Sequence, residues 1–131
     1  MELPTILVVE DDPLIQSIVE EALTDGGFDI VIASSGEDAI DLLDDQSVKY
    51  RAVVTDINMG CDKLDGWDVA RRAREIDAGL PVVYMTGASA DDWASKGVPS
   101  SILMRKPFAP AQLLTAVSQL LNDGDASIKG L

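Results

Sequence analysis

The chain has 131 residues, 47% of them hydrophobic and 25% charged, which is ordinary for one globular domain with a core of its own. The formal net charge of −13 argues against nucleic acid as a direct partner, because phosphate backbones are bound by an excess of Lys and Arg. The sequence has no histidine, which excludes histidine-based catalysis, and its one cysteine, Cys61, excludes an internal disulfide and fits a reducing compartment. No apolar stretch approaches the roughly 20 residues that cross a bilayer, and the acidic N-terminus does not resemble a signal peptide. We therefore expect a cytoplasmic protein with neither nucleic acid nor membrane as a partner.

Short apolar runs alternate with helical periods five times along the chain, the pattern of a parallel sheet covered by helices. Strands are predicted over 5–9, 28–33, 52–55, 81–85 and 101–105. Helices are predicted from Pro13 to the Gly26–Gly27 stop, after Ser34 and Ser35, and over about 66–74, 90–96 and 110–121. The sequence thus predicts an α/β fold: a doubly wound, five-stranded parallel sheet flanked by five helices. This domain is expected to occupy 1–122, followed by a flexible C-terminal tail over 123–131.

Polar side chains follow four of the predicted strands. Asp11 and Asp12 come after the first strand, with Asp12 also a plausible N-cap for the helix that begins at Pro13. Asp56, Thr86 and Lys106 follow the third, fourth and fifth strands. Because the carboxyl ends of parallel strands share one edge of the sheet, these side chains are expected to converge there.

This set of side chains suits phosphoryl chemistry. Asp56 is a candidate nucleophile, and the carboxylates of Asp11 and Asp12 are the hard oxygen ligands that Mg²⁺ or Mn²⁺ prefers. Lys106 offers a point charge for a phosphoryl oxygen, and Thr86 a hydroxyl donor. Three carboxylates carry about −3, which one divalent cation and Lys106 would balance with about +3.

With these residues in place, the chain resembles the receiver domain of two-component response regulators. The likeness extends from Thr5 to Leu121. It depends on five motifs: Val-Val-Glu10-Asp11-Asp12-Pro, Val-Val-Thr-Asp56-Ile-Asn-Met, Asp65-Gly66, Met-Thr86-Gly87 and Lys106-Pro107-Phe108. The resemblance implies the flavodoxin-like receiver fold in a single-domain regulator similar to the chemotaxis type.

The resemblance also implies roles for individual residues. Asp56 would accept a phosphoryl group from a sensor histidine kinase or a histidine phosphotransfer protein. The metal ion would be held by Asp11 or Asp12, by Asp56 and by the backbone carbonyl of Asn58. Lys106 and Thr86 would bind the phosphoryl group and drive the switch, and the Lys106–Pro107 peptide would be cis.

A phosphorylated receiver of this kind signals by contact with other proteins. We expect a monomer or weak dimer that binds a downstream protein target, since the sequence shows one domain without a helix-turn-helix. No substrate turnover is expected, although such a domain can hydrolyse its own aspartyl phosphate.

The sequence departs from the family pattern in four respects. Leu103 occupies the switch position, three residues before Lys106, where an aromatic is usual. The loop between Asp56 and Gly66 is about two residues longer than usual, with Gly60 where proline is common, and it places Cys61 and Asp62 near Asp56. The fourth helix is short, and Pro99 precedes the fifth strand. These changes concern the output of the switch rather than the acidic residues.

Three alternatives to a phosphoacceptor make different demands on the sequence. A phosphorylation-independent, receiver-like interaction domain would keep the fold and signal by partner exchange alone. A flavodoxin-like electron carrier would need a hydroxyl-rich loop after the first strand, where Glu10, Asp11 and Asp12 would repel a flavin phosphate. A haloacid-dehalogenase-type phosphatase would need an acid two residues after Asp56, where Asn58 stands.

Overall fold

The chain alternates strand and helix from end to end in a computed structural model that describes residues 3–58, 64–87 and 90–129, with the backbone alone for 90 and 123–129. The strands are β1 (Thr5–Val9), β2 (Asp29–Ala33), β3 (Tyr50–Asp56), β4 (Val82–Thr86) and β5 (Ser101–Arg105). The helices are α1 (Pro13–Asp25), α2 (Gly36–Asp44), α3 (Gly66–Ile76), α4 (Trp93–Lys96) and α5 (Pro110–Lys129), with a 3-10 turn over Ala90–Asp92 ahead of α4.

The five strands form one parallel sheet in the order β2-β1-β3-β4-β5. This confirms the predicted doubly wound fold. The chain crosses from one side of β1 to the other after β2, so the strand order reverses between β1 and β3. Open α/β sheets bind ligands at such a reversal, outside the carboxyl ends of the strands.

The side chains of each central strand alternate between two apolar layers. On β1, Ile6 and Val8 pack into the layer that includes α1 and α5, whereas Leu7 and Val9 face the layer of α2 and α3. All four side chains are fully buried. Burial on both faces explains why the strands are continuous apolar runs rather than alternating polar and apolar residues.

Three helices begin at side-chain caps, and the first of these is the Asp12 N-cap that the sequence predicts. The carboxylate of Asp12 accepts a hydrogen bond from the backbone N–H of Leu14 at 2.9 Å, and Pro13 is the first residue of α1. The hydroxyl of Ser35 caps α2, and Asp65 forms a capping box at the start of α3. These caps hold the helix starts at the carboxyl edge of the sheet.

The last helix is longer than predicted. The sequence suggested that α5 ends at Leu121, but the backbone is helical to Lys129. The segment 122–129 contains no proline, and Gly124 weakens a helix without ending it. The proposed division at residue 122 stays a prediction. Within the described part of the chain, none of the helices combines the length and apolarity that crossing a bilayer requires.

Gly66 allows α3 to begin directly against the end of β3. A Cβ atom at this position would lie well inside van der Waals contact of the carbonyl oxygen of Asp56 and of the Ile57 backbone. The N–H of Gly66 donates to the carbonyl of Ile57 at 2.9 Å, which holds the two segments together. The glycine is therefore required by the close approach of two backbones, which cannot yield as a flexible side chain would.

Replacing Gly66 with alanine is expected to destabilise the protein by about 2 kcal/mol, because the new methyl group overpacks a backbone contact. Urea denaturation would measure the loss. Gly79→Ala is the matched control, since the nearest atom to its added Cβ is Oδ1 of Asp77 at 3.7 Å, an ordinary contact. Equal stability of the two variants would contradict this account of Gly66.

Candidate functional site

The carboxyl edge of the sheet gathers the polar side chains that follow its strands. Asp56 and Thr86 are the last residues of β3 and β4, and Lys106 follows β5 directly. The N–H of Lys106 donates to the carbonyl of Thr86 at 2.7 Å, which continues the strand pairing up to the lysine. The side chains of Asp56 and Lys106 meet at this edge, which confirms their predicted convergence. The peptide between Lys106 and Pro107 is cis, as expected.

The ammonium group of Lys106 is shared by two carboxylates. Its Nζ atom lies 2.8 Å from Oε1 of Glu10 and 3.2 Å from Oδ1 of Asp56. Glu10 is fully buried and Asp56 is 5% exposed, so water does little to screen either interaction. One cation thus serves two buried anions.

A third carboxylate completes an acidic group. Among the described residues, Glu10, Asp11 and Asp56 each offer a carboxylate oxygen, and these oxygens lie within 4.8 Å of one another. Asp11 is exposed, so the group opens to solvent on one side. A cluster of hard oxygen donors with a net negative charge fits a divalent cation such as Mg²⁺.

Asp12 lies outside this group. Its carboxylate caps α1, and its place in the cluster is taken by Glu10, which the sequence interpretation did not include. A signal for this was available, because Asp12 was already predicted as the N-cap and a capping carboxylate is committed to a backbone N–H. The N–H of Asp12 also donates to Oε2 of Glu10 at 3.0 Å, so it orients the buried glutamate.

Burial controls the protonation of the site. Desolvation raises the pKa of Asp56 above its ordinary value, and the nearby Lys106 offsets this only in part. Desolvation likewise raises the pKa of Glu10, against the hydrogen bond from Lys106. For Lys106, burial alone would lower the pKa, but the bond to Glu10 and the charge of Asp56 raise it overall. The single positive charge of Lys106 therefore does not offset the buried carboxylates around it.

Two further predicted residues stand at the same edge. Thr86 is 1% exposed at the end of β4, and Asn58 lies two residues after Asp56 at the surface. Each of these two residues already interacts with another part of the structure. The switch role of Thr86 and the metal-binding role of the Asn58 carbonyl stay predictions. Gly60 and Cys61, in the lengthened loop, lie outside the described residues.

The region around Leu103 contains an aromatic side chain on the neighbouring strand. Leu103 is partly buried and lies opposite Tyr84 of β4. The ring of Tyr84 is fully buried, with its centroid 4.8 Å from that of Trp67, and its hydroxyl accepts the N–H of Val98 at 3.1 Å. Tyr84 thus links the strand of Thr86 to the turn after α4.

Two further hydrogen bonds connect α4 to the start of β5 and, through it, to that turn. The indole N–H of Trp93 donates to the hydroxyl of Ser101 at 2.9 Å, and this hydroxyl donates to the carbonyl of Val98 at 2.6 Å. The described side chains of α4 are otherwise exposed. The helix is therefore attached at one aromatic residue, two hydrogen bonds away from Val98.

The fold and the acidic edge define a receiver domain. The family model described as the response regulator receiver domain matches residues 6–118 of this chain. The chain belongs to this family, which serves two-component signalling systems.

Known relatives agree with this assignment. The transcriptional regulatory protein CusR of Escherichia coli K12 is 30% identical over 125 residues, which cover 94% of this chain and 53% of CusR. A response regulator receiver protein from Sinorhizobium medicae WSM419 is 50% identical, with a TM-score of 0.90 over 94% of this chain and 98% of that one. The chain spans about half the length of the full-length regulators that it matches.

A second solved structure shares the fold at lower identity. It is the receiver domain of a sensor histidine kinase from Pseudomonas aeruginosa PAO1, 21% identical, with a TM-score of 0.76 over 93% of this chain and 99% of that one. That domain is described with a magnesium ion coordinated in its active site cleft.

The raised pKa of Asp56 predicts an effect on stability. A carboxyl group whose pKa is higher in the folded than in the unfolded protein stabilises the fold at low pH and loses that contribution as the pH rises through the folded value. Without divalent ions, Asp56→Asn should therefore raise the melting temperature at pH 7, with a smaller gain near pH 4. Thermal melts between these two values would measure the difference.

Asp68→Asn is a control for which the opposite change in melting temperature is expected. Burial alone would raise the pKa of Asp68, but hydrogen bonds from the Asp65 backbone and from Arg71 lower it overall. Asp68→Asn should lower the melting temperature at pH 7. An Asp56→Asn variant that melts at or below the wild-type temperature at pH 7 would contradict the proposed charge imbalance.

Proposed function

We propose that this domain is a phosphoacceptor, in which Asp56 takes a phosphoryl group from a phosphohistidine on a sensor histidine kinase or phosphotransfer protein. The observation that supports this best is the Lys106 ammonium, held between buried Glu10 and Asp56 at 2.8 and 3.2 Å beside a third carboxylate. An oxygen of Asp56 would attack phosphorus, the bond from phosphorus to the imidazole nitrogen would break, and that nitrogen would keep the electron pair.

The remaining residues would manage charge during the transfer. Lys106 can follow a phosphoryl oxygen because its flexible stem already reaches Asp56. Thr86, at the end of the adjacent strand, would donate its hydroxyl to the phosphoryl group. Neither role requires the strands to move, since both residues already lie at the edge where the group would form.

Asp11 and Asp56, with the backbone carbonyl of Asn58, would hold Mg²⁺ or Mn²⁺. The three carboxylates of Glu10, Asp11 and Asp56 together supply the oxygen donors that these ions need. The Pseudomonas receiver binds magnesium in its own cleft. A bound divalent cation neutralises the phosphoryl oxygens that approach the acidic edge. Glu10 would act indirectly, through its bond to Lys106.

We expect signal transfer rather than substrate turnover. Asn58 stands where a phosphatase of the haloacid-dehalogenase type would place its second acid, so release of the phosphoryl group would be slow and limited to the domain's own aspartate. The output would be contact with a downstream protein target in the cytoplasm, by a monomer or weak dimer. CusR is a transcriptional regulatory protein, and this chain spans 53% of its length.

Phosphorylation can be tested with a small-molecule phosphodonor such as acetyl phosphate. In the presence of Mg²⁺, the wild-type protein should gain the mass of one phosphoryl group by intact mass spectrometry, and Asp56→Asn should gain none. Asp65→Asn, which keeps an N-cap for α3, is a control that should still be modified. A wild-type protein that stays unmodified at saturating Mg²⁺ would refute the proposal and favour the phosphorylation-independent interaction domain.

The metal ligands can be separated by a pair of matched variants. Asp11→Asn should weaken Mg²⁺ binding by more than about tenfold in calorimetric titration, because it removes a charged ligand. Asp12→Asn should bind almost as the wild type does, since asparagine also caps a helix and Asp12 lies outside the acidic group. The opposite ranking of the two variants would show that Asp12, not Asp11, holds the ion.

A further inference from the structure

We propose that Gln16 is a positioning residue for Asp11, and that its side-chain amide sets the affinity of the acidic edge for its divalent cation. This inference rests on the proposed metal-dependent function. It concerns a residue of α1 that contributes no ligand itself and lies outside the group of Glu10, Asp11 and Asp56.

The amide of Gln16 joins the ends of two strands. Its Nε2 atom donates to the backbone carbonyl of Glu10 at 2.6 Å and to the hydroxyl of Ser34 at 3.2 Å. Glu10 follows β1, and Ser34 follows β2. The side chain thus reaches back from the first turns of α1 to the edge of the sheet where the carboxylates lie.

The bonded carbonyl belongs to the peptide group that connects Glu10 to Asp11. A peptide group is planar, so a hydrogen bond that holds its carbonyl also fixes the direction in which the chain enters Asp11. The two backbone torsions of Asp11 then separate this fixed peptide plane from the plane of the Asp11–Asp12 peptide. The orientation of the Asp11 carboxylate therefore depends on the bond from Gln16.

Three other backbone groups near Asp11 also have hydrogen-bond partners. The N–H of Glu10 donates to the carbonyl of Ala33 at 3.0 Å, and the N–H of Asp12 donates to the Glu10 carboxylate at 3.0 Å. The N–H of Gln16 donates to the carbonyl of Asp12 at 2.9 Å. Within this set, the Gln16 amide is the side-chain donor that holds the peptide carbonyl directly ahead of Asp11.

The alternative is that Gln16 only contributes to the stability of α1. A partly exposed amide can be replaced by water at a carbonyl, so the bond adds little net stability. Orientation is different, since the Gln16 amide is covalently attached to α1 and a water molecule in its place would not be. Residues that orient metal ligands typically change metal affinity by about 10- to 100-fold when they are removed.

The test compares Gln16→Met with wild type. Methionine keeps the length of the side chain and its apolar stem but has no donor. Calorimetric titration should show Mg²⁺ binding weakened by about tenfold. The rate of modification by acetyl phosphate should fall at low Mg²⁺ and recover at saturating Mg²⁺. Gln119→Met, the same change on the exposed surface of α5, should leave both quantities unchanged.

The outcomes separate this inference from the proposed function. If wild type binds Mg²⁺ and folded Gln16→Met binds it equally well, the positioning role is wrong and the phosphoacceptor proposal stands. If wild type does not bind Mg²⁺, both fail. Should Gln16→Met not fold, Gln16→Leu decides, because leucine also favours a helix and also has no donor for the Glu10 carbonyl: weaker Mg²⁺ binding supports the role, and unchanged binding overturns it.

Discussion

The structure of the site depends on one lysine that has to balance two buried carboxylates. Lys106 can neutralise either Glu10 or Asp56, but not both together with Asp11. Removing carboxylates from water is costly, and the attraction to a single ammonium does not recover that cost, which is why the pKa values of Glu10 and Asp56 are raised. The fold tolerates this shortage of positive charge because the carboxylates lie at one edge of the sheet that opens to solvent. A cation or a cationic partner that binds at this edge would supply the positive charge that Lys106 alone does not provide.

The sheet makes this arrangement possible by bringing distant residues together. Glu10 and Lys106 are 96 positions apart in sequence, yet they meet because β1 and β5 run in the same direction and end at the same edge. The apolar interior keeps the strands in register, and the caps of α1, α2 and α3 fix where the helices leave the edge. Close contact between Gly66 and the end of β3 then holds Asp56 at the base of the site.

Much of this follows from the sequence, because buried parallel strands leave a strong local signal. The predicted positions of β1 and β5 match the structure, and the other strands differ by one or two residues at their ends. Asp11, Asp56 and Lys106 were predicted as polar residues after apolar runs, and the structure brings them to one edge of the sheet. Asp12 was predicted from the same pattern, which does not separate a capping carboxylate from a metal ligand, and in the structure it caps α1.

Other features depend on contacts that no local pattern records. Glu10 is buried beside Lys106, which lies 96 positions away in sequence, and the bond from Gln16 to Ser34 depends on how α1 packs against the end of β2. The hydrogen bond from Val98 to Tyr84 likewise joins residues 14 positions apart. The length of α5 was underestimated because a weak helical segment can continue an established helix without a hydrophobic period of its own.

The central claim is that Asp56 lies in a site short of positive charge. Carbon-detected NMR titration of its side-chain carboxyl group tests this directly, with and without Mg²⁺. The account predicts a pKa above the ordinary value in the metal-free protein, and a clear decrease when Mg²⁺ is added. An ordinary pKa that does not change with Mg²⁺ would contradict it.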